Sequence, residues 1–302
     1  MDISVVIPSY NGGNIIRNLF LRIKEVLSGK FTFEVLFVFD DGNAETWEII
    51  KGLKNDYPEL IKYYHLAKNY GQHRAIQFGL GESKGKFIIT LDEDLQHEPS
   101  DILKLISKQK EHDYDIVYGR FRDPQHKGIR NSMSLLLRKI LKHFIPTLYD
   151  NYSPYRLIKN EVAIRTSTMV CPYTFIDDFL SRITQNIASE DINHYKRLGG
   201  KSSYTFLKFF KHGIYILLAY SKLIPLLIAV SILFIATGSA FFIFNVIVPL
   251  HIKSGIFSNR FIIGTISIGI ILIFFSLIGS FINHKNTILN SRPIKLINEN
   301  SI

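Results

Sequence analysis

The chain has 302 residues, which is enough for one large domain or two small ones. Its formal net charge of +10 suits a partner that is nucleic acid, an acidic ligand or an anionic membrane. Nucleic acid is disfavoured as a partner, because no basic segment carries the interleaved aromatic residues of a base-stacking motif. Hydrophobic residues make up 47% of the chain, which is high for a purely soluble protein and points to a membrane part. The single cysteine, Cys171, excludes an internal disulfide and fits a reducing compartment.

Strand and helix patterns alternate along the first part of the chain. No basic segment precedes the first apolar run, so we expect no signal peptide. Short runs rich in β-branched and aromatic residues predict strands at Ser4–Pro8, Phe33–Phe39, Ile61–Leu66, Phe87–Leu91 and Ile116–Gly119. Helices are predicted between them, from Asn14 as N-cap to Ser28, through Trp47 to Asn55, from Gly71 to Gly81 and from Ser100 to Glu111. This alternation predicts an α/β domain with a mainly parallel sheet.

Polar residues follow three of the predicted strands. They are Tyr10-Asn11, Asp40-Asp41 and Asp92-Glu93-Asp94. Because ligands of parallel sheets bind beyond the carboxyl ends of the strands, we expect these loops to converge on a ligand. No G-x-G-x-x-G follows the first strand and no Walker-A sequence is present, which disfavours a dinucleotide or P-loop site.

The segment TLDEDLQ places Asp92 and Asp94 two residues apart, directly after a predicted buried strand. Carboxylates with a neighbouring amide oxygen are typical ligands of Mg²⁺, which takes its remaining ligands from water or substrate phosphates. We interpret Asp92, Asp94 and Gln96 as a site for Mg²⁺ or Mn²⁺ that offsets the charge of a diphosphate leaving group. A solvated acidic loop is the alternative.

Two apolar segments without charged side chains, 223–250 and 261–282, exceed the roughly 20 residues that cross a bilayer as a helix. We predict two transmembrane helices, with buried core helices as the alternative. Basic residues flank the pair on both outer sides, and two more lie in the link: Lys201, Lys208, Lys211, Lys222, Lys285, Arg292 and Lys295 outside, with Lys253 and Arg260 in the link. The positive-inside rule then predicts that the preceding domain, 1–204, and a tail, 283–302, lie in the cytoplasm.

Residues 131–145 carry apolar side chains at helical spacing on one face and basic ones on the other. This pattern suits an interfacial helix on anionic lipid, and a core helix with a solvated basic face is the alternative. Residues 205–222 are similar and are predicted as a juxtamembrane helix. The region 120–142 holds seven lysines or arginines against one acidic residue, which suits a phosphate monoester or, alternatively, general attraction to a membrane.

Four segments, SVVIPSYNGGN, FVFDDGNAETW, KNYGQHRAIQFGL and TLDEDLQHEP, resemble in this order the family 2 glycosyltransferases with a GT-A fold. With the two spans, the chain is similar to the polyprenyl-phosphate glycosyltransferases, a group that includes dolichol-phosphate mannose synthase, and NYGQH and KRLGGKSSYTF look most like its aminoarabinose transferases. The resemblance covers nearly the whole chain. It implies inverting transfer of a sugar from a nucleotide sugar to a polyprenyl phosphate, undecaprenyl phosphate in a bacterium, at the inner membrane. The lipid-linked product would serve a cell-envelope glycan or lipopolysaccharide modification.

The resemblance also assigns residues, while it leaves the sugar, the nucleotide and a homo-oligomeric state open. Around the nucleotide sugar it places Pro8, Tyr10, Asn11, Asp40, Asp41, His73, Asp92 and Glu93, with a helix cap as the alternative for His73. At the metal and diphosphate it places Asp92, Asp94 and Gln96. At the acceptor phosphate it places Arg120, Arg130, Ser134, Arg197 and Lys201. Asp92, Asp94 and Arg120 are the implied catalytic residues.

The implied acceptor explains why no general base is expected. A phosphate monoester has a second pKa near 6 and is largely a dianion at neutral pH, so it needs no proton removed before it attacks. The enzyme would act by positioning and by charge stabilisation.

The chain departs from the family pattern in the candidate site. Gly12 and Gly13 follow Asn11 where an acidic residue is usual, and Asn43 replaces a serine. Glu93 stands where the middle residue of D-x-D is commonly small, so it either reshapes the sugar pocket or points to solvent.

Asp177 and Asp178 are a further departure and support a second hypothesis, in which one of them is the base for a hydroxyl acceptor. A solvated helix N-terminus is the alternative interpretation of this pair. A non-catalytic membrane scaffold is the third hypothesis for the chain, and the retained D-x-D residues argue against it.

Overall fold

The computed structural model describes residues 1–121, 142, 145–171, 173–192, 223–247, 259–291 and 296–297. The chain divides into two compact units. The first comprises Met1–Val170, Thr174–Tyr204 and Pro293–Ile302, and the second Cys171–Tyr173 and Thr205–Arg292. Most of the predicted interfacial helix 131–145 and all of the predicted juxtamembrane helix 205–222 lie outside the described residues.

The first unit is an α/β domain. Its strands are β1 (Ile3–Ser9), β2 (Phe33–Phe39), β3 (Ile61–Leu66), β4 (Phe87–Thr90), β5 (Ile116–Phe121), β6 (Arg156–Lys159), β7 (Ile187–Ile192) and β8 (Leu296–Ile297). Its helices are α1 (Ile15–Leu27), α2 (Ala44–Asp56), α3 (Gln72–Glu82), α4 (Ile102–His112), α5 (Asn160–Ser167) and α6 (Ile176–Ile183). A short 3-10 helix, Pro99–Asp101, precedes α4.

The strands form one sheet in the order β7-β5-β6-β4-β1-β2-β3-β8. The pairs β1–β2, β1–β4, β2–β3 and β5–β7 are parallel, whereas β6 is antiparallel to β4 and β5, and β8 is antiparallel to β3. The predicted mainly parallel sheet is confirmed. Because β1, β2 and β4 run in the same direction, their carboxyl ends lie at one edge of the sheet.

Alternate residues of the central strand β1 face two hydrophobic cores. Val5 and Ile7 pack in the core formed with α1, α2 and α4, and Val6 packs in the core formed with α3, α5 and α6. All three side chains are fully buried, and each such burial contributes about 1.5–3 kcal/mol. The sheet therefore lies between two helical layers, and its strand ends are free to carry the site.

Asn14 occupies the N-cap position of α1, as predicted, but its side chain makes no capping hydrogen bond. Asn43 does cap α2, since its Oδ1 accepts from the backbone N–H of Thr46 at 2.9 Å. Asparagine caps helices as well as serine does, so the replacement of serine at residue 43 is neutral for the start of α2.

The second unit contains two long helices, α7 (Leu223–Ile247) and α8 (Asn259–Ser291). They hold two segments long and apolar enough to cross a membrane, Ile224–Phe244 and Ile262–Ile282, each with a mean hydropathy of 2.5. Glycines let the helices approach closely: a Cβ at Gly238 would lie 2.6 Å from Cγ1 of Ile266, and one at Gly269 would lie 2.5 Å from Cγ1 of Ile235. Small residues are typical of such helix contacts in membranes.

Candidate active site

The loops after β1 and β2 meet at the carboxyl edge of the sheet. The backbone N–H of Asn43 donates to the carbonyl oxygen of Tyr10 at 3.1 Å and to Oδ1 of Asn11 at 2.9 Å. Gly42 permits this approach, because a Cβ there would lie 1.5 Å from the Tyr10 carbonyl oxygen. The structure thus brings together the polar groups that follow the first two strands, as predicted.

Asp40 is buried and holds the segment that leads into α3. Its carboxylate oxygens accept from the backbone N–H groups of Tyr70 and Gly71, both at 2.7 Å. Burial raises the pKa of Asp40 to about 6, although the two hydrogen bonds act in the opposite direction. Beside it, Asp41 has a positive φ of 54° and lies 3.4 Å from Nε2 of His65. The nucleotide role of both aspartates stays a prediction.

Glu93 connects the D-x-D loop to the loop after β1. Its Oε2 accepts from the backbone N–H of Tyr10 at 3.0 Å and its Oε1 from that of Asn11 at 3.1 Å, and the N–H of Gly12 lies near this carboxylate. Burial raises the pKa of Glu93, and these backbone hydrogen bonds oppose the rise. An orientation to solvent is therefore wrong, whereas an effect on sugar choice stays a prediction.

The D-x-D carboxylates lie directly after β4. Asp92 accepts a hydrogen bond from the side-chain amide of Gln72, the first residue of α3, at 2.5 Å. Asp94 is 8% exposed, and its Oδ1 accepts from the backbone N–H of Gln96 at 3.1 Å. This loop is hydrogen-bonded to the protein and partly buried, so it is not a freely solvated acidic loop.

The donor set of this loop fits a hard divalent cation. Asp92, Asp94 and Gln96 offer carboxylate and amide oxygens, which Mg²⁺ and Mn²⁺ prefer. This site has two carboxylates, and within the described ranges no three or more His, Cys, Asp or Glu side chains are grouped so that they could hold a metal ion. A cation bound here would thus take further oxygen ligands from water or from a diphosphate.

Other predicted donor-site residues take varied positions. Tyr10 is exposed beyond β1, whereas Pro8 is buried within that strand. His73 lies in the first turn of α3, and its ring stands edge-on to Phe175 with the ring centres 5.5 Å apart. Tyr10 is therefore better placed than Pro8 to touch a ligand.

Arg120 is the predicted acceptor residue that the structure describes. It lies on β5, and its Nε and Nη2 are 2.7 and 2.6 Å from Oδ1 of Asp191 on β7. Its side chain is half exposed, so a phosphate can still reach it. The other predicted acceptor residues lie outside the described residues: Arg130, Ser134, Arg197 and Lys201.

Asp177 and Asp178 lie in the first turn of α6, but the interpretation as a solvated helix N-terminus is wrong because both are buried. Asp177 accepts from Nε and Nη2 of Arg156, each at 2.8 Å, and Asp178 accepts from Nε of Arg182 at 2.8 Å. Both oxygens of Asp177 are engaged by Arg156 and the side chain is buried, so the arrangement also speaks against Asp177 as a base for an incoming hydroxyl.

Two residues near the site were not predicted. Gln72 touches Asp92, and fully buried Arg156 donates to Oγ1 of Thr90 at 3.1 Å, just before the D-x-D loop. An arginine between apolar Tyr155 and Leu157 is the signal that could have indicated a buried ion pair.

Comparisons with known proteins agree with this geometry. Residues 4–181 match the family model of glycosyl transferase family 2, and this range includes the loops described above. An undecaprenyl-phosphate 4-deoxy-4-formamido-L-arabinose transferase of Shewanella sediminis is 30% identical over 68% of this chain, and the match spans 62% of that enzyme's length. The enzyme of the same name from Aeromonas hydrophila is 26% identical over 98% of this chain and 93% of its own length.

The fold is also found in solved structures. Glucosyl-3-phosphoglycerate synthase from Mycobacterium tuberculosis, in complex with Mn²⁺, uridine diphosphate and glucosyl-3-phosphoglycerate, superposes with a TM-score of 0.55 at 15% identity, over 72% of this chain and 77% of that one. This likeness supports the GT-A fold alone. The family match and the relatives together identify the chain as a glycosyltransferase that belongs to glycosyl transferase family 2.

Proposed function

We propose that the protein transfers a sugar, with inversion, from a nucleotide sugar to a polyprenyl phosphate, undecaprenyl phosphate in a bacterium. The observation that carries this proposal is the family 2 domain joined in one chain to two helices long enough to cross a membrane. The relatives named for undecaprenyl phosphate support the acceptor class. The product would be a lipid-linked sugar for a cell-envelope glycan or for lipopolysaccharide modification.

The path of the chain supports a two-helix membrane anchor. The apolar segments of α7 and α8 are only 11% and 22% buried, whereas the core helix of a soluble protein would be mostly buried. After α8 the chain returns to the first unit, where β8 pairs with β3. Two crossings bring a chain back to its starting side, and basic residues flank both outer ends. We therefore place the catalytic domain, 1–204, and the tail, 283–302, on the cytoplasmic face of the inner membrane.

The proposed reaction is a single displacement. An oxygen of the acceptor phosphate forms a bond to the anomeric carbon while the bond from that carbon to the donor's diphosphate breaks, and the electron pair leaves with the nucleoside diphosphate. Asp92, Asp94 and Gln96 would hold Mg²⁺ or Mn²⁺, which when bound offsets the charge of the leaving diphosphate. Arg120 and the basic residues after it would orient the acceptor phosphate.

The structure does not favour a hydroxyl acceptor. That reaction needs a general base, and the suggested base Asp177 is 2% exposed and bound by Arg156. The dianionic phosphate acceptor avoids this requirement. A non-catalytic scaffold is disfavoured because the loops of the candidate site are intact and joined by hydrogen bonds.

The test is to incubate membranes that contain the protein with undecaprenyl phosphate, Mg²⁺ or Mn²⁺ and a panel of nucleotide sugars. Mass spectrometry of the lipid fraction should show one sugar attached to the lipid phosphate, and membranes with the Asp94→Ala variant should form this product about 100-fold more slowly or worse. If folded protein transferred no sugar from the panel, or placed it on a hydroxyl acceptor, the proposal would be wrong.

A further inference from the structure

The loop after β1 contains a group of backbone N–H donors that is filled by the protein's own carboxylate. The N–H groups of Tyr10 and Asn11 donate to Glu93, and the N–H of Gly12 lies near the same carboxylate. Successive backbone N–H groups in a loop that precedes a helix form an anion-binding cavity, of the kind that holds phosphates in other proteins. Here that cavity is occupied from within, by a side chain that comes from the loop after β4.

Gly12 is the residue that makes room for this carboxylate. A Cβ at residue 12 would lie 2.7 Å from Oε2 of Glu93 and 2.9 Å from its Cδ. Real Cβ atoms do not approach this closely, so a side chain at residue 12 and the present position of Glu93 exclude each other. The glycine and the glutamate thus act as one unit, although they are far apart in sequence.

The contact joins the two halves of the proposed donor site. On one side, Glu93 lies between Asp92 and Asp94, the proposed ligands of the metal and diphosphate. On the other side, the bonded loop contains Asn11, whose Oδ1 accepts from the backbone N–H of Asn43, two residues after Asp41. A shift of Glu93 would therefore change the distance between the D-x-D carboxylates and the loops proposed to hold the nucleotide.

We propose that Glu93 is a positioning residue for the nucleotide-sugar donor. Its carboxylate occupies the anion-binding cavity formed by the N–H groups of the loop after β1. The donor's diphosphate therefore binds at the D-x-D side of the site and not in this cavity. This inference rests on the proposed function for its donor, but the occupied cavity can be tested without any transfer reaction. Gly12 is its required partner.

The first test uses the full chain in detergent, without substrate. In the Glu93→Ala variant, hydrogen exchange of the peptide that contains residues 10–12 should become faster, and added sodium formate should restore protection and raise the Tm. Sodium chloride at the same concentration should do neither. If hydrogen exchange in this peptide were unchanged, or if formate and chloride had the same effect, the inference that Glu93 occupies the cavity would be wrong.

The second test uses the transfer reaction once its donor is known. Glu93→Ala should raise the KM for the nucleotide sugar about tenfold, because the backbone N–H groups of Tyr10 and Asn11 lose the carboxylate that holds the β1 loop in place. The KM for the acceptor lipid should stay within about twofold. Formate should recover part of this loss, which a merely structural defect would not allow. Glu98→Ala is the matched control, since Glu98 lies in the same loop but pairs with Arg22, and should leave both constants unchanged.

The pair of residues gives a second variant. Gly12→Ala should raise the donor KM in the wild-type background and add less in the Glu93→Ala background, because its contact with Glu93 is then absent while its 2.9 Å approach to Cγ1 of Ile16 remains. Additive effects, or a selective rise in the acceptor KM, would contradict the positioning role. If the wild-type protein transferred no sugar but formate still protected Glu93→Ala from hydrogen exchange, the proposed function would be wrong. The inference that Glu93 occupies the cavity would still hold.

Discussion

The guanidinium of Arg156 donates to both carboxylate oxygens of Asp177 inside the protein, with two N–O distances of 2.8 Å. The hydroxyl of Tyr118 donates to the same carboxylate at 3.0 Å, and Arg156 also donates to Thr90, the last residue of β4. Burial alone would lower the pKa of Arg156, but the neighbouring Asp177 raises it above its ordinary value. The buried pair therefore supports the strand end from which the D-x-D loop starts.

The first prediction concerns this pair. Asp177→Asn should lower the free energy of unfolding by about 3–5 kcal/mol, because it leaves the charge of Arg156 buried without its counter-charge. Denaturation of the full chain in detergent measures the loss. Asp56→Asn, which breaks the exposed Arg17–Asp56 pair, should cost about 1 kcal/mol or less. A stable Asp177→Asn variant that lost only kcat would instead indicate a general base.

The second prediction concerns the D-x-D loop. Asp94→Ala should reduce metal-dependent transfer by about 100-fold or more, because it removes a proposed metal ligand, while the protein stays folded. The rate is measured against Mg²⁺ and Mn²⁺ concentration, with circular dichroism and the Tm as controls for folding. Full activity of this variant would exclude Asp94 as a metal ligand.

The third prediction concerns the pH dependence that Asp40 introduces. Its pKa is raised from 3.8 to about 6, so the folded state binds this proton more tightly than the unfolded state. This group's contribution to stability is therefore present at low pH, falls as the pH rises through the window from about 4 to 6, and is constant above it. The nearby charge of Asp41 adds to the rise in pKa. In Asp40→Asn this downward component should be absent from the Tm measured across that window, and an unchanged slope would contradict the assignment.

The fourth prediction concerns the acceptor. Arg130→Ala should raise the acceptor KM or lower kcat, because Arg130 is proposed to hold the acceptor phosphate, and donor affinity should be retained. Initial rates at varied undecaprenyl phosphate and varied donor separate the two constants. Lys24→Ala, which removes a basic residue from α1, is the control for net charge and should change neither constant. Collapse of donor affinity in Arg130→Ala would assign this arginine to the donor side.

The fifth prediction concerns the packing of α7 against α8. Gly269→Ala should lower the stability of the full chain by about 1–3 kcal/mol, because its Cβ would lie 2.5 Å from Ile235 and 2.9 Å from the carbonyl oxygen of Ser231. Gly264 offers a matched control on the same helix, since a Cβ there would meet nothing within 4 Å. Gly264→Ala should be neutral or slightly stabilising, because alanine is the better helix former. Equal effects of the two changes on the Tm in detergent would show that the close contact is not what stabilises the pair.

Much of the first half of the fold is predictable from local pattern. The strands Phe33–Phe39 and Ile61–Leu66 have in the structure the bounds that the apolar runs predict, because those runs are bounded by polar turns. The later elements are not predictable in this way. β6 begins with an arginine and ends with a lysine, and it lies antiparallel between β4 and β5, a position that only tertiary packing determines. The elements α5 and β7 were missed for the same reason, and α6 was foreseen only as a helix start in the alternative interpretation of Asp177 and Asp178.

The candidate site likewise has features that can be predicted from the sequence and features that cannot. The meeting of the loops after β1, β2 and β4 follows from parallel topology, so it can be derived from the sequence. The direction of Glu93 cannot, because its partners Tyr10 and Asn11 lie 83 and 82 residues away. The burial of Asp177 likewise depends on Arg156, 21 residues earlier, and a pair of aspartates at a helix start is exposed in most sequences with this pattern.

The short strand β8 has a practical consequence for work with the protein. It pairs with His65 and Leu66 at the carboxyl end of the outer strand β3, where unpaired backbone groups would otherwise invite another chain to add a strand. Removal of Leu296 and Ile297 would open this edge and favour aggregation, and an affinity tag joined directly after β8 would follow a strand that lies beside the His65–Asp41 contact. Met1 precedes the amino end of β1, at the opposite edge of the sheet from the loops of the site. A tag or a fluorescent label is therefore better attached on the side of β1 that Met1 precedes than after β8.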